Sequence, residues 1–127
     1  MSGNRYFLDT NAIIYLLQNE SSNLLNLLNS SSWVGISIIS QIEFLSFSKL
    51  SKDDKHLFNS FVQHVEVIEV LSSNIRLIDD IIKLRKNYSI KLPDAMIVGS
   101  AIYSNSVLIS NDNELYKIKE VVVQNAE

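Results

Sequence analysis

The sequence predicts an α/β fold: a three-layer α/β/α sandwich with a central parallel five-stranded sheet, in one domain spanning residues 1–127. Three observations carry this. Five short apolar runs alternate with stretches of helical periodicity, and strands that alternate with helices form a parallel sheet covered on both faces. An apolar fraction of 46% in 127 residues suffices for a core without disulfide or metal staples. Three glycines and one proline leave little material for linkers or low-complexity segments.

The elements follow in chain order. Tyr6-Phe7-Leu8 reads as a buried strand that stops at Asp9, and Ile13, Ile14, Leu16 and Leu17 resume at helical spacing. The polar stretch Gln18 to Asn23 is a break, after which Leu24, Leu25, Leu27 and Leu28 complete a helical hairpin. Trp33 to Ile36 is a second strand, and Ser37 to Leu50 a helix capped by Ser37 or Ser40. Ser51 caps a helix whose first turn carries Asp53 and Asp54. Val65 to Leu71 is a third strand, and Ser72 or Ser73 starts a long helix that ends in a basic loop from Lys83 to Lys91. Pro93 suits the first turn of the next helix, which runs to Tyr103, where Ala95, Gly99, Ser100 and Ala101 allow close approach to the sheet. Val107 to Ile109 is the fourth strand, Glu114 to Ile118 a short helix, and Val121 to Val123 the fifth strand.

Composition narrows the function classes. The absence of cysteine removes disulfide frameworks, thiolate zinc sites and cysteine nucleophiles. No apolar stretch reaches membrane-spanning length, so the expectation is a soluble cytoplasmic protein with no membrane partner. A net charge of -3 argues against nucleic-acid binding in general, because phosphate affinity comes from Lys and Arg, unless the acids cluster in a metal site with bases on its rim.

Four acids interrupt apolar contexts: Asp9 after strand one, Glu43 inside an apolar helix, Asp94 after Pro93 and Asp112 after strand four. Such charges are expensive unless paired or metal-bound. Right-handed crossovers bring all strand C-termini to one edge, so Asp9 and Asp112 can share it. Each aspartate alone has an ordinary role as helix cap or turn former. It is the conjunction of four that argues for a site. An all-oxygen set suits Mg2+ or Mn2+, and such ions promote hydrolytic phosphoryl chemistry.

Four segments then resemble, in order, the motifs of the PIN-domain family, most closely its VapC-type toxin ribonucleases. They are Phe7-Leu8-Asp9-Thr10-Asn11, Ile38 to Ser46, Leu92 to Ala101, and Leu108-Ile109-Ser110-Asn111-Asp112. The resemblance implies a Mg2+- or Mn2+-dependent endoribonuclease leaving 5'-phosphate and 3'-hydroxyl ends, the toxin of a type II pair, frequently a homodimer held by a cognate antitoxin. It carries over Asp9, Glu43, Asp94 and Asp112 as catalytic metal ligands, with Thr10, Asn11 and Ser110 as supporting polar residues. Where many relatives follow the last motif with a second aspartate and an aromatic, this chain departs with Asn113-Glu114-Leu115, and Glu114, with its longer side chain, is the candidate to supply that acid.

Lys83, Arg85, Lys86, Tyr88 and Lys91 precede Asp94 and are the candidate RNA contacts; the same cations equally well offset a helix dipole. His56 and His64 lie away from the acids and read as structural. The leucine-rich first helices, with Trp33 and Phe47, offer a groove for a partner helix or second protomer. Two other functions stay open. One is a phosphotransferase or phosphatase with Asp9 as nucleophile, weakened by Asn11 where a second aspartate belongs; the other is a non-catalytic RNA- or protein-binding module of the same fold.

Overall fold

The computed structural model describes residues 4–18 and 22–127; of the expected break at Gln18 to Asn23, residues 19–21 lie outside the described residues, while Ser22 and Asn23 already belong to the second helix. The chain runs β1 (Arg5–Leu8), α1 (Thr10–Leu17), α2 (Ser22–Asn29), β2 (Trp33–Ser37), α3 (Ile38–Leu45), α4 (Lys52–Val62), β3 (Glu66–Ile68), α5 (Ile75–Tyr88), α6 (Leu92–Tyr103) and β4 (Val107–Ile109). A 3-10 turn (Asn113–Lys117) and β5 (Val123–Gln124) complete it.

All pairings are parallel and the strand order is β3-β2-β1-β4-β5. The first crossovers move outward from β1 through β2 to β3, and the chain then returns to the other side of β1 to lay down β4. A parallel sheet opens a crevice where the winding reverses, at the strands' carboxyl ends. Here that point lies between β1 and β4, whose register pairs Leu8 with Ile109. The next residues along the two strands are Asp9 and Ser110.

Alternation along β1 divides the core. Tyr6 and Leu8 pack with Ile13, Leu24, Phe44 and Phe58 from α1 to α4, and Phe7 packs with Leu77, Ile81, Val98 and Ala101 from α5 and α6. Two helical layers therefore enclose the sheet, as expected for successive side chains that point to opposite faces. Among the described residues no helix is long and apolar enough to cross a membrane.

Several boundaries differ from the sequence reading for identifiable reasons. The third helix stops at Leu45 rather than Leu50, because Ser46 turns its hydroxyl back onto the carbonyl of Ile42 at 2.6 Å and its N–H onto Glu43. Ser37, not Ser40, caps it, accepting from the N–H of Ile39. Asn74 rather than Ser72 or Ser73 caps α5, through the N–H of Leu77. That helix continues to Tyr88, so Lys83 to Lys86 are helical and not a loop; Ser89, left-handed at φ 55°, ends it. β3 is confined to Glu66–Ile68, where β2 offers partners, and β5 begins at Val123 because its register is set by Leu108 and Ile109. Gly99 serves a helix contact rather than the sheet, since a Cβ there would sit 2.8 Å from Cγ1 of Ile81 on α5.

Trp33 also lies elsewhere than the sequence reading placed it. Its indole belongs to the α5–α6 face, stacked on Phe7 with the Arg5 guanidinium 4.2 Å from its ring, and so lines no groove of the first helices. The ring covers Gly35, where a Cβ would meet Cη2 at 2.2 Å. Gly35→Ala must displace an indole held on two sides, an overpacking cost of about 1–3 kcal/mol. Chemical denaturation followed by fluorescence of this single tryptophan is expected to show a lowered midpoint with unchanged slope, together with an altered native emission.

Candidate active site

Four carboxylates reach one cavity from four elements. Asp9 extends from the end of β1, Glu43 from α3, Asp94 from the first turn of α6 and Asp112 from the turn after β4. With Thr10, Asn11, Phe47 and Ile97 they line a space of about 200 Å³ at the reversal point of the sheet. Among the described residues, no lysine or arginine lines it.

Asp9 is the most enclosed of the four, only 8% exposed. One oxygen accepts from the N–H of Ala12 at 2.8 Å, which caps α1, and the nearby Ser110 hydroxyl also favours the charged carboxylate. Burial nevertheless raises its pKa, and the charges of Asp112 and Asp94 add to the rise. Asp94 is raised too, first by burial and then by Asp112 and Glu43, with Lys91 partly opposing. The acids thus repel one another across the cavity.

Polar neighbours fix their positions. The Thr10 hydroxyl lies 2.6 Å from Oε1 of Glu43 and 2.9 Å from Oγ of Ser40. A carboxylate can only accept, so the Thr10 proton goes to Glu43 and aims it inward from a neighbouring helix. Ser110, fully buried, accepts the N–H of Asp112 at 3.0 Å and lies close enough to Asp9 to favour its charged form, so one hydroxyl stands between the ends of β1 and β4. Asp112 in turn caps the 3-10 turn through the N–H of Glu114.

The other expected residues are distributed as follows. Asn11 lines the cavity from the exposed side of α1. Glu114 points away from it, pairing with Lys117 at 3.3 Å beside a neighbouring depression. Tyr88 and Lys91 line that same depression, Arg85 and Lys86 border a separate shallow one, and Lys83 is exposed on α5. Asn111 ties the chain end down, its Oδ1 accepting the N–H of Ala126. Ile97 was not anticipated, although its place three residues after Asp94 on a helix carries the signal. Ser40 was anticipated only as a cap and instead supports Thr10.

Among the described residues no three potential ligands are already closed around one point. The oxygen-only set, the absence of a compensating base among the lining residues and the raised pKa values of buried Asp9 and Asp94 nonetheless fit a hard divalent cation. Without a cation the repulsion opposes folding. A raised native pKa means that the native state holds more protons than the unfolded chain between the two values, so this contribution to stability falls as pH rises through that window and stays low above it. Asp94→Asn is therefore expected to melt at a higher temperature than wild type in EDTA, by a margin that widens from acid to neutral pH, and to respond less to added Mg2+. Calorimetric scans across the acid range check the sign.

Comparison with known proteins accords with this geometry. The solved structures similar to this chain include VapBC2 from Rickettsia felis bound to a promoter DNA fragment, at 24% identity and a TM-score of 0.80, covering 95% of this chain and 98% of that one. VapBC-1 from nontypeable Haemophilus influenzae follows at 21% and 0.78, covering 96% and 98%. DNA-bound VapBC from Salmonella typhimurium stands at 22% and 0.76, covering 98% and 99%. A search of curated proteins gives no match. The sequence profile of the PIN domain matches residues 6–121, nearly the whole chain and all four acids, so the chain belongs to the PIN domain family.

Proposed function

We propose that the protein is a Mg2+- or Mn2+-dependent endoribonuclease, the toxin of a type II toxin–antitoxin pair, acting in the cytoplasm. The observation that carries this reading is the convergence of Asp9, Glu43, Asp94 and Asp112 on one cavity of a PIN fold. When bound by these four, the cation supplies electrophilic polarisation of a phosphodiester and a lowered pKa for the attacking water.

The chain's own residues prepare that chemistry. Ala12 N–H and Ser110 hold the Asp9 carboxylate against the end of β1, and Thr10 orients Glu43. Such outer hydrogen bonds keep ligands from rotating out of position. Phe47 and Ile97 form the apolar part of the wall and reduce the water around the carboxylates. Lys91, close enough to Asp94 to lower its pKa, provides positive charge at the rim for an RNA phosphate.

Two surfaces support the proposed partners. An apolar groove of about 330 Å³ between α1, α3 and α4 is lined by Ile14, Leu17, Phe44, Phe47, Leu50 and Leu57. Phe47 belongs both to this groove and to the acidic cavity, so an antitoxin segment seated there would also cover the cavity mouth. The related solved complexes carry toxin and antitoxin together. On α5, Ile75 and Ile82 are exposed seven residues apart and thus share a face, the kind of surface that a homodimer would bury.

Purified total RNA incubated with wild type in Mg2+ or Mn2+ is expected to yield discrete fragments, abolished by EDTA. Asp94→Asn should lower the rate at least a hundredfold, a loss in keeping with removal of one ligand from a catalytic cation. Intact RNA in every wild-type reaction, after any co-purified protein has been stripped, would remove the nuclease reading and leave a binding module of this fold.

A further inference from the structure

Beyond Asp94 and Asp112, on the side away from the acidic cavity, lies a depression of about 430 Å³ that shares those two carboxylates as its ridge. Its other lining residues have a different character. Lys91, Lys117 and Glu114 stand in its wall, half-buried Ile90 supplies apolar surface, and Leu115, 1% exposed, lies buried behind it. Lys91 is exposed and makes no capping bond to α6. Lys117 is paired with Glu114, but both groups are exposed, at 50% and 74%, and such a pair in water is weak enough to exchange for a phosphate.

Tyr88 forms another wall and is fastened rather than free. Its hydroxyl donates to Glu120 and accepts the N–H of Lys119, which holds the ring between the end of α5 and the segment before β5. The depression is thus a preformed seat with two ammonium groups, an apolar surface and one fixed aromatic side. Single-stranded RNA offers the complement: a phosphate and a flat, largely apolar base on each residue.

We propose that this depression is a nucleotide subsite for the RNA residue flanking the scissile phosphate, with Lys91 and Lys117 on its phosphate and Ile90 against its base. This rests on the nuclease reading, and it places part of sequence preference here rather than in the acidic cavity. The shared ridge supplies the geometry: a strand whose scissile phosphate faces Asp94 and Asp112 from one side can lay its next nucleotide on the other.

The test uses a synthetic RNA spanning a cut that wild type makes in total RNA, intact and with single abasic positions on either side of the cut. At saturating Mg2+, Lys91→Ala/Lys117→Ala is expected to raise KM about tenfold with kcat within about twofold, and to flatten the log–log salt dependence by roughly 0.7. Lys55→Ala, on the far helix α4, should change neither. One flanking abasic position should raise the wild-type KM, and Ile90→Ala should shrink that penalty, because groups in contact are not additive. Melting temperatures equal to wild type for the lysine variants separate lost contacts from lost structure. If wild type cuts while the double lysine variant matches it in KM and salt slope, or while no flanking abasic position matters, the subsite is overturned and the nuclease reading stands. If wild type cuts no RNA, the nuclease reading fails and takes the subsite with it.

Discussion

Like charges held at close quarters are the constraint that the rest of this structure answers. Four carboxylates share a cavity of about 200 Å³, and the pKa values of Asp9 and Asp94 are raised first by burial and then by the charges of neighbouring acids. A fold tolerates such an arrangement only if each acid is anchored independently of the others. Here the anchors differ: a backbone N–H and Ser110 for Asp9, Thr10 for Glu43, the first turn of α6 for Asp94 and the 3-10 turn for Asp112.

Ordinary structural roles and site roles coincide in these residues. Asp9 caps α1 and Asp112 caps the 3-10 turn while both face the cavity. Capping places a carboxylate at the start of an element, and in a parallel sheet the elements after the strands start on the ligand-binding edge. A single Ser110 hydroxyl then couples the two, and the C-terminal segment secures this turn through Ser110 N–H to Gln124 and Asn111 to Ala126. Stability and site geometry are therefore supported by the same few hydrogen bonds.

Much of this was legible in the sequence because it depends on local pattern. The abrupt stop of Tyr6-Phe7-Leu8 at Asp9, Pro93 opening a helix and the Ser51 cap all express backbone chemistry within a few residues. The strand order and the meeting of Glu43 with Thr10 depend on packing across 33 residues, which spacing does not encode. Trp33 shows the same limit: its place on the α5–α6 face follows from register with Arg5, which puts it on the Phe7 side of the sheet, not from its neighbours in sequence. The basic run was read as a loop because its charges mask the helical positions of Leu84 and Tyr88, and only the tertiary fold separates Lys91 and Tyr88, beside the site, from Arg85 and Lys86. Glu114 matches a motif position by type, but it lines the neighbouring depression, beside Lys117, and not the acidic cavity.

The central claim is that these carboxylates together form one cation site. Anomalous diffraction from wild-type crystals grown in Mn2+ tests it most directly. The account predicts a peak inside the cavity, about 2.1 Å from oxygens of Asp9 and at least one of Asp94 and Asp112. A well-ordered cavity without a peak, or Mn2+ bound only elsewhere on the chain, would contradict it.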